Sequence, residues 1–189
     1  LMVETSGGIV KLKPSIEMGR VRAVQVNMGL PRLKAEDMPL SVGEPLDITS
    51  DYPLIIGGKE LHLTFVSMGN PHAVYFCRQP VAGFPLAELG AEVEKHPIFV
   101  RGTNFEVASV LSRHQIEARV WERGVGETLA CGSGACAIAV AAQLHGYVDQ
   151  QVDIILPGGK LAIEWDGVGE VLLTGPVEMV FTGDWPEEE

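Results

Sequence analysis

Basic side chains are scarce in this chain: 14 Lys and Arg stand against 25 Asp and Glu, a net charge of −11 at neutral pH. That balance argues against nucleic acid or an anionic membrane surface as a partner. Long apolar runs are missing as well. The longest, around Ala135 to Ala142, is far too short to span a bilayer. No Gly-Lys-Ser or Gly-Lys-Thr occurs, which excludes a P-loop. Cysteine is limited to three residues, an odd number without scaffold spacing. Such usage fits a reducing cytoplasm, the expected compartment, better than a disulfide framework. What remains is 46% apolar, enough for a real core in one large or two small domains. The only pronounced charge run, Asp184 to Glu189, reads as a solvated acidic tail.

Short strands joined by tight turns dominate the pattern. Leu1 to Thr5 and Ile9 to Lys13 flank Ser6-Gly7-Gly8, a hairpin signal, and Val21 to Met28 alternates as a half-buried strand does. Leu1 opens directly on a strand-like pattern, which reads as a start within a longer polypeptide. Pro31 to Glu44 is irregular, and a domain junction is placed there. Further strands are expected at Leu61 to Val66, Ala73 to Cys77, Asn104 to Leu111 and Gln115 to Arg123. Others follow at Val152 to Leu156, Lys160 to Trp165, Val168 to Leu173 and Val177 to Thr182, with turn signals at Pro157-Gly158-Gly159 and Asp166-Gly167. Two helices are expected. Pro85 to His96 carries Leu86, Leu89 and Val93 on one stripe, and Gly132 to His145 ends at Gly146. The second is nearly all small or apolar, so it must be enclosed. The expected fold is therefore α+β: a curved, largely antiparallel sheet wrapped around a central apolar helix.

The most informative stretch runs from Glu122 to Cys136, Glu-Arg-Gly-Val-Gly-Glu-Thr-Leu-Ala-Cys-Gly-Ser-Gly-Ala-Cys. It places Cys131 at the mouth of the second helix, where the macrodipole and unpaired backbone N–H groups favour a thiolate. The same N–H groups can hold a carboxylate. Cys131 is thus a candidate base or nucleophile. Cys136 lies about half a turn round the helix, and about 7.5 Å along its axis, from Cys131 and reads as core. Cys77, at the end of an apolar strand, also reads as core. Three cysteines supply too few ligands for a zinc or iron–sulfur site, so no metal is expected. Gly132 to Ala137 formally fits G-x-G-x-x-A, but the repeated strand–helix alternation of a dinucleotide fold is absent. Ala130-Cys131-Gly132 overlaps part of a caspase-type signature whose flanking residues do not match.

A second cluster, Ser67-Met68-Gly69-Asn70-Pro71-His72, offers Asn70 and His72 either as turn residues or as ligands. Asn104, after Arg101-Gly102-Thr103, has the same two readings. Glu122 and Arg123 point to opposite faces of an ideal strand, so a shared pocket requires irregular backbone at Gly124.

Together these clusters resemble the diaminopimelate epimerase family over essentially the whole chain. The matching residues are Ser67 to His72, Arg101 to Phe105, Arg119 to Ala137, Pro157 to Gly159 and Ile163 to Gly167. The resemblance implies a cofactor-independent isomerase of diaminopimelate, with two pseudo-symmetric domains and one cysteine from each. It implies Cys131 as proton acceptor, and His72 and Glu122 as groups that tune its pKa. Asn70, Asn104, Glu122, Arg123, Gly132 and Ser133 would bind a dicarboxylic diamino acid, with no cofactor and no metal. A homodimer is implied too. The N-terminal half of the family carries a Cys-Gly-Asn-Gly motif that this chain lacks. The expected division is accordingly 1–33 as the remnant of a first domain and 34–175 as the C-terminal epimerase domain. Residues 176–189 would be a strand returning to the first domain, followed by the acidic tail. The second thiol would come from a preceding segment. Proline racemase-like isomerases share this two-base logic, and a remote second carboxylate for Arg123 is what favours diaminopimelate over proline.

Overall fold

The computed structural model describes residues 1–5, 8–38, 40–41 and 51–184. The expected turn residues Ser6 and Gly7, part of the Pro31 to Glu44 junction, and Trp185 to Glu189 of the tail lie outside the described residues.

Twelve strands form one mixed, curved sheet: β1 (Met2–Thr5), β2 (Gly8–Glu17), β3 (Arg20–Asn27), β4 (Tyr52–Ile56), β5 (Lys59–Ser67), β6 (Pro71–Phe76), β7 (Asn104–Ser112), β8 (Gln115–Glu122), β9 (Gly126–Thr128), β10 (Gln151–Leu156), β11 (Gly159–Glu164) and β12 (Leu172–Pro176). Their order is β1-β2-β3-β12-β11-β10-β8-β7-β6-β5-β4, with β9 paired to β8 off this path. Among the described residues only β6–β7 and β8–β10 are parallel. Two α-helices among the described residues complete the fold, α1 (Leu86–Glu94) and α2 (Gly132–Leu144).

Alternation along the strands sorts side chains into two cores. Leu61, Leu63 and Phe65 of β5, with Phe105 and Val107 of β7, pack with Leu86, Leu89 and Val93 of α1. Val66, Val74, Ala108, Ile116, Ala118 and Val120 pack with the helix α2 instead. That helix touches β5, β6, β7, β10, β11 and β12, and every residue from Gly134 to Ala142 is buried. Its alanines let strand backbones approach closely, while Ile138 and Val140 each contribute about 1.5–3 kcal/mol of apolar burial. Gly146 ends it at φ +70°, a left-handed position that suits glycine.

Several expectations are corrected. Tyr52–Ile56, where no strand is expected from the sequence, lies at the edge of the sheet, where Pro53 is tolerated; Leu54 and Ile56 face the core while Pro53 and Ile55 face out. A strand within the glycine loop, β9, carries no alternation to reveal it. The strand expected at Val168 begins at Leu172, because the Asp166 carboxylate accepts the N–H groups of Val168 and Gly169 and holds them in a turn. No strand forms over Val177 to Thr182, where Met179, Val180 and Phe181 are more than 80% exposed. Cys136 is fully buried as expected, whereas Cys77 is only half-buried.

Candidate active site

Parallel pairing of β6 and β7 sets His72 opposite Asn104 at the start of both strands, and antiparallel β8 ends beside them at Glu122. The N-terminus of α2 reaches the same end of the sheet. Ser67 to Asn70 turn into β6 through Gly69 at φ +94°. Residues separated by up to 63 positions are thereby brought into direct contact, Asn70 to Ser133 among them.

Cys131 is the N-cap of α2, in extended conformation, and is 8% exposed. Its Sγ accepts the Gly134 N–H at 3.4 Å and lies 3.5 Å from the Ser133 Oγ. Gly132 and Ser133 are the first two helical residues, whose N–H groups helix geometry leaves unpaired; none of the described residues accepts them. Burial pushes the Cys131 thiol above its usual range, against the pull of Ser133 and Gly134, and the carboxylates of Glu106 and Glu122 push the same way. The helix entrance therefore does not by itself secure a thiolate: burial outweighs the two donors.

His72 is fully buried, with Nδ1 2.6 Å from Glu106 Oε1 and Nε2 3.1 Å from Asn70 Oδ1. The Asn70 Nδ2 donates to Ser133 Oγ at 3.3 Å. Asn70, His72, Ser133 and Cys131 thus form one contiguous group. Glu106 completes it. Nothing in the sequence singled Glu106 out, since a Glu at an alternate position of a strand reads as solvent-facing. Burial removes it from water altogether, and its Oε2 has no hydrogen-bond partner among the described residues.

Asn104 acts as a brace between strands. Its Nδ2 donates to the Pro71 carbonyl, and its Oδ1 accepts the Arg123 N–H at 2.8 Å. Each end of the amide retains one further hydrogen-bonding position. Glu122 accepts a hydrogen bond from Thr128 Oγ1 at 2.6 Å, while the exposed Arg123 guanidinium donates to the Arg101 carbonyl. Glu122 and Arg123 therefore engage different neighbours, as strand alternation requires. The turn that follows them is held by Glu94, at the end of α1, which accepts the Gly124 N–H at 2.9 Å and the Trp121 Nε1–H at 2.7 Å. Those bonds, Trp121 foremost, hold the Glu94 carboxyl below the usual range.

Among the described residues no cluster of three or more His, Cys, Asp or Glu is arranged to hold a metal ion, and no helix is long and apolar enough to cross a membrane. A separate cleft of about 540 Å³, lined by Lys59, Tyr75, Cys77, Arg78 and Phe84, includes none of the residues around Cys131.

Comparison with known proteins places nearly the whole chain among named relatives. The family profile described as diaminopimelate epimerase matches residues 64–180. The chain is 47% identical over 188 residues to the diaminopimelate epimerase of Moorella thermoacetica, covering 98% of this chain and 66% of that protein. It is 45% identical to that of Pelotomaculum thermopropionicum, covering 98% of this chain and 65% of that protein. This chain thus spans about two thirds of the length of these relatives. Among solved structures, a hydroxyproline epimerase from Agrobacterium vitis superposes with a TM-score of 0.67 at 15% identity, over 93% of this chain and 56% of that one. A phenazine biosynthesis protein of the PhzF family from Bacillus anthracis gives 0.64 at 10% identity, over 94% and 66%. At such identities these two speak for the fold alone. The profile match and the sequence identities place this chain in the diaminopimelate epimerase family.

Proposed function

We propose that this chain is the C-terminal portion of an epimerase interconverting LL- and meso-diaminopimelate, and that Cys131 is one of its two proton-transferring thiols. The observation that carries the reading is Cys131 at the N-cap of α2, beside two N–H groups on Gly132 and Ser133 that none of the described residues accepts. A substrate α-carboxylate seated on those groups would bring the α-carbon to the sulfur. As the α-proton leaves, charge builds on the carboxylate oxygens, where each preorganised donor can contribute about 3 kcal/mol. Asn70 and Asn104 border the same space. Glu122 suits the ammonium group, and the exposed guanidinium of Arg123 suits the distal carboxylate. His72 and Glu122 tune the thiol.

Inversion requires an acid on the opposite face of the carbon. Neither remaining cysteine is suited to that role: Cys136 is enclosed within the α2 core, its pKa pushed up to about 12 by burial, and Cys77 packs against the core on the α1 side of the sheet. The second thiol is therefore assigned to a segment outside this chain, in a pseudo-symmetric first domain to which residues 1–33 and 176–189 belong. Apolar side chains left exposed there, including Leu1, Met2, Ile9, Met179, Val180 and Phe181, support that division. A homodimer and a cytoplasmic location complete the reading, which involves no cofactor.

Solvent deuterium incorporation at the α-position of diaminopimelate by the intact enzyme tests the proposal. Exchange should disappear in Cys131→Ala; continued exchange would remove Cys131 from the mechanism. The purified 189-residue chain should bind without turning over, and turnover by it alone would refute the assignment of the second thiol. Competition should favour diaminopimelate over proline, because only the former offers Arg123 a partner.

A further inference from the structure

A fully buried carboxylate with one orphaned oxygen is costly unless it serves another group. Glu106 is such a residue: its side chain is 0% exposed, Oε1 meets His72 Nδ1 at 2.6 Å, and Oε2 meets no partner among the described residues. It lies beneath the first turn of α2, where room is made for it. A Cβ on Gly134 would stand 2.9 Å from Glu106 Oε1 and 3.4 Å from the Cys131 sulfur.

The hydrogen bonds leading from Glu106 have a direction. Asn70 presents Oδ1 to His72 Nε2, so Nε2 must carry a hydrogen. Nδ1 then either accepts a hydrogen from a protonated Glu106 or, as part of an imidazolium, donates to the carboxylate. Nε2 is a donor in both states. Asn70 in turn donates through Nδ2 to Ser133 Oγ, which leaves the Ser133 hydroxyl hydrogen free for the Cys131 sulfur. We propose that Glu106 is a positioning residue: by holding His72 as an Nε2–H donor, it orients Asn70 and Ser133 so that the chain of hydrogen bonds ends in a donor aimed at Cys131. This role rests on the reading of Cys131 as a proton-transferring thiol.

The chemistry of the pocket supports it. The charged groups facing Glu106 are His72 on β6 and Glu122 on β8; those facing Cys131 are Glu106 and Glu122. Burial pushes the Glu106 carboxyl upward, and His72 only partly offsets this. A proton shared between Glu106 and His72 leaves the pair with no net charge in either arrangement. Glu106 can then steer the hydrogen bonds while His72 offsets the charge by which its carboxylate pushes the Cys131 thiol up. Without Glu106, His72 could adopt the other tautomer. The Asn70 amide would turn over, and Ser133 would donate to Asn70 rather than to sulfur.

The test is the pH dependence of alkylation of Cys131 by iodoacetamide, followed at that residue by peptide mass spectrometry. It needs no turnover. In Glu106→Met the midpoint should rise by about one unit, a roughly tenfold slower reaction at neutral pH, since one charge-assisted donor is lost. Glu106→Gln should stay within about twofold of the wild type, because its amide can donate to Nδ1 and keep the same tautomer. A folded Glu106→Met variant with an unchanged midpoint would overturn the proposal. So would a lowered midpoint, which would mark Glu106 as a bystander charge. If Glu106→Met does not fold, ¹⁵N resonances of the wild-type His72 ring decide. Hydrogen on Nε2 supports the proposal, and a neutral ring bearing hydrogen only on Nδ1 refutes it. Should α-proton exchange depend on Cys131 while alkylation ignores Glu106, this inference falls and the proposed function stands.

Discussion

Replacing Gly90 by Ala should destabilise the protein although it improves an α-helix. Gly90 is buried in the middle of α1, and a Cβ there would stand 2.7–2.9 Å from Trp121 Cγ, Cβ and Cδ2. Normal carbon contacts are about 3.5–4.0 Å, so the helix or the indole must move by about 1 Å. Swinging the indole away is opposed by its Nε1–H bond to Glu94, itself on α1. Overpacking of this kind costs about 1–3 kcal/mol, and a constrained ring places the cost near the upper end. The helical preference of Ala over Gly returns about 1 kcal/mol. A net loss of about 2 kcal/mol remains, or about 4–8 °C in melting temperature for a chain of this length. Urea unfolding followed by tryptophan fluorescence would measure it. The consequence extends to the site, because Glu94 also holds the Gly124 N–H after Glu122 and Arg123. A Gly90→Ala variant as stable as the parent would refute the argument that this close approach fixes α1 on β8.

The three thiols should react with iodoacetamide in the order Cys77, Cys131, Cys136, following half-burial, near-complete burial, and full burial with a pKa about 12. Alkylation of native Cys136 at neutral pH would contradict its enclosure. Arg119 clasps Glu127 through Nε at 2.8 Å and Nη2 at 2.9 Å, and this holds the Glu127 carboxyl below the usual range. A carboxyl depressed in the folded state contributes stability above its unfolded pKa and loses it as pH falls through the lower folded value. Glu127→Gln should therefore cost about 0.5–1 kcal/mol near pH 7, discounted for partial exposure, and nothing in strong acid. A difference from the parent that persists unchanged at low pH would refute the pairing.

Much of this molecule is legible along the chain because local rules write it there. The glycine loop, the N-capping cysteine and the apolar α2 segment together announce a thiol at a helix entrance within an enclosed fold. Most strands with clean alternation stand where expected, although the one signalled by Asp166-Gly167 begins only at Leu172. Tertiary structure alone decided matters that depend on what covers each face. In β7, Glu106 occupies an alternate position that would face water on a one-sided sheet, yet α2 covers that face and buries it against His72. Glu94 has no local motif, but its position at the end of α1 makes it the clamp on the Glu-Arg-Gly turn. The sulfur of Cys131 shows the same division. Capping geometry, readable in the sequence, supplies donors that favour a thiolate, whereas the packing around it pushes its pKa the other way. Hydrogen-bond donors at a helix start are a property of the backbone; burial is a property of everything that folds against it.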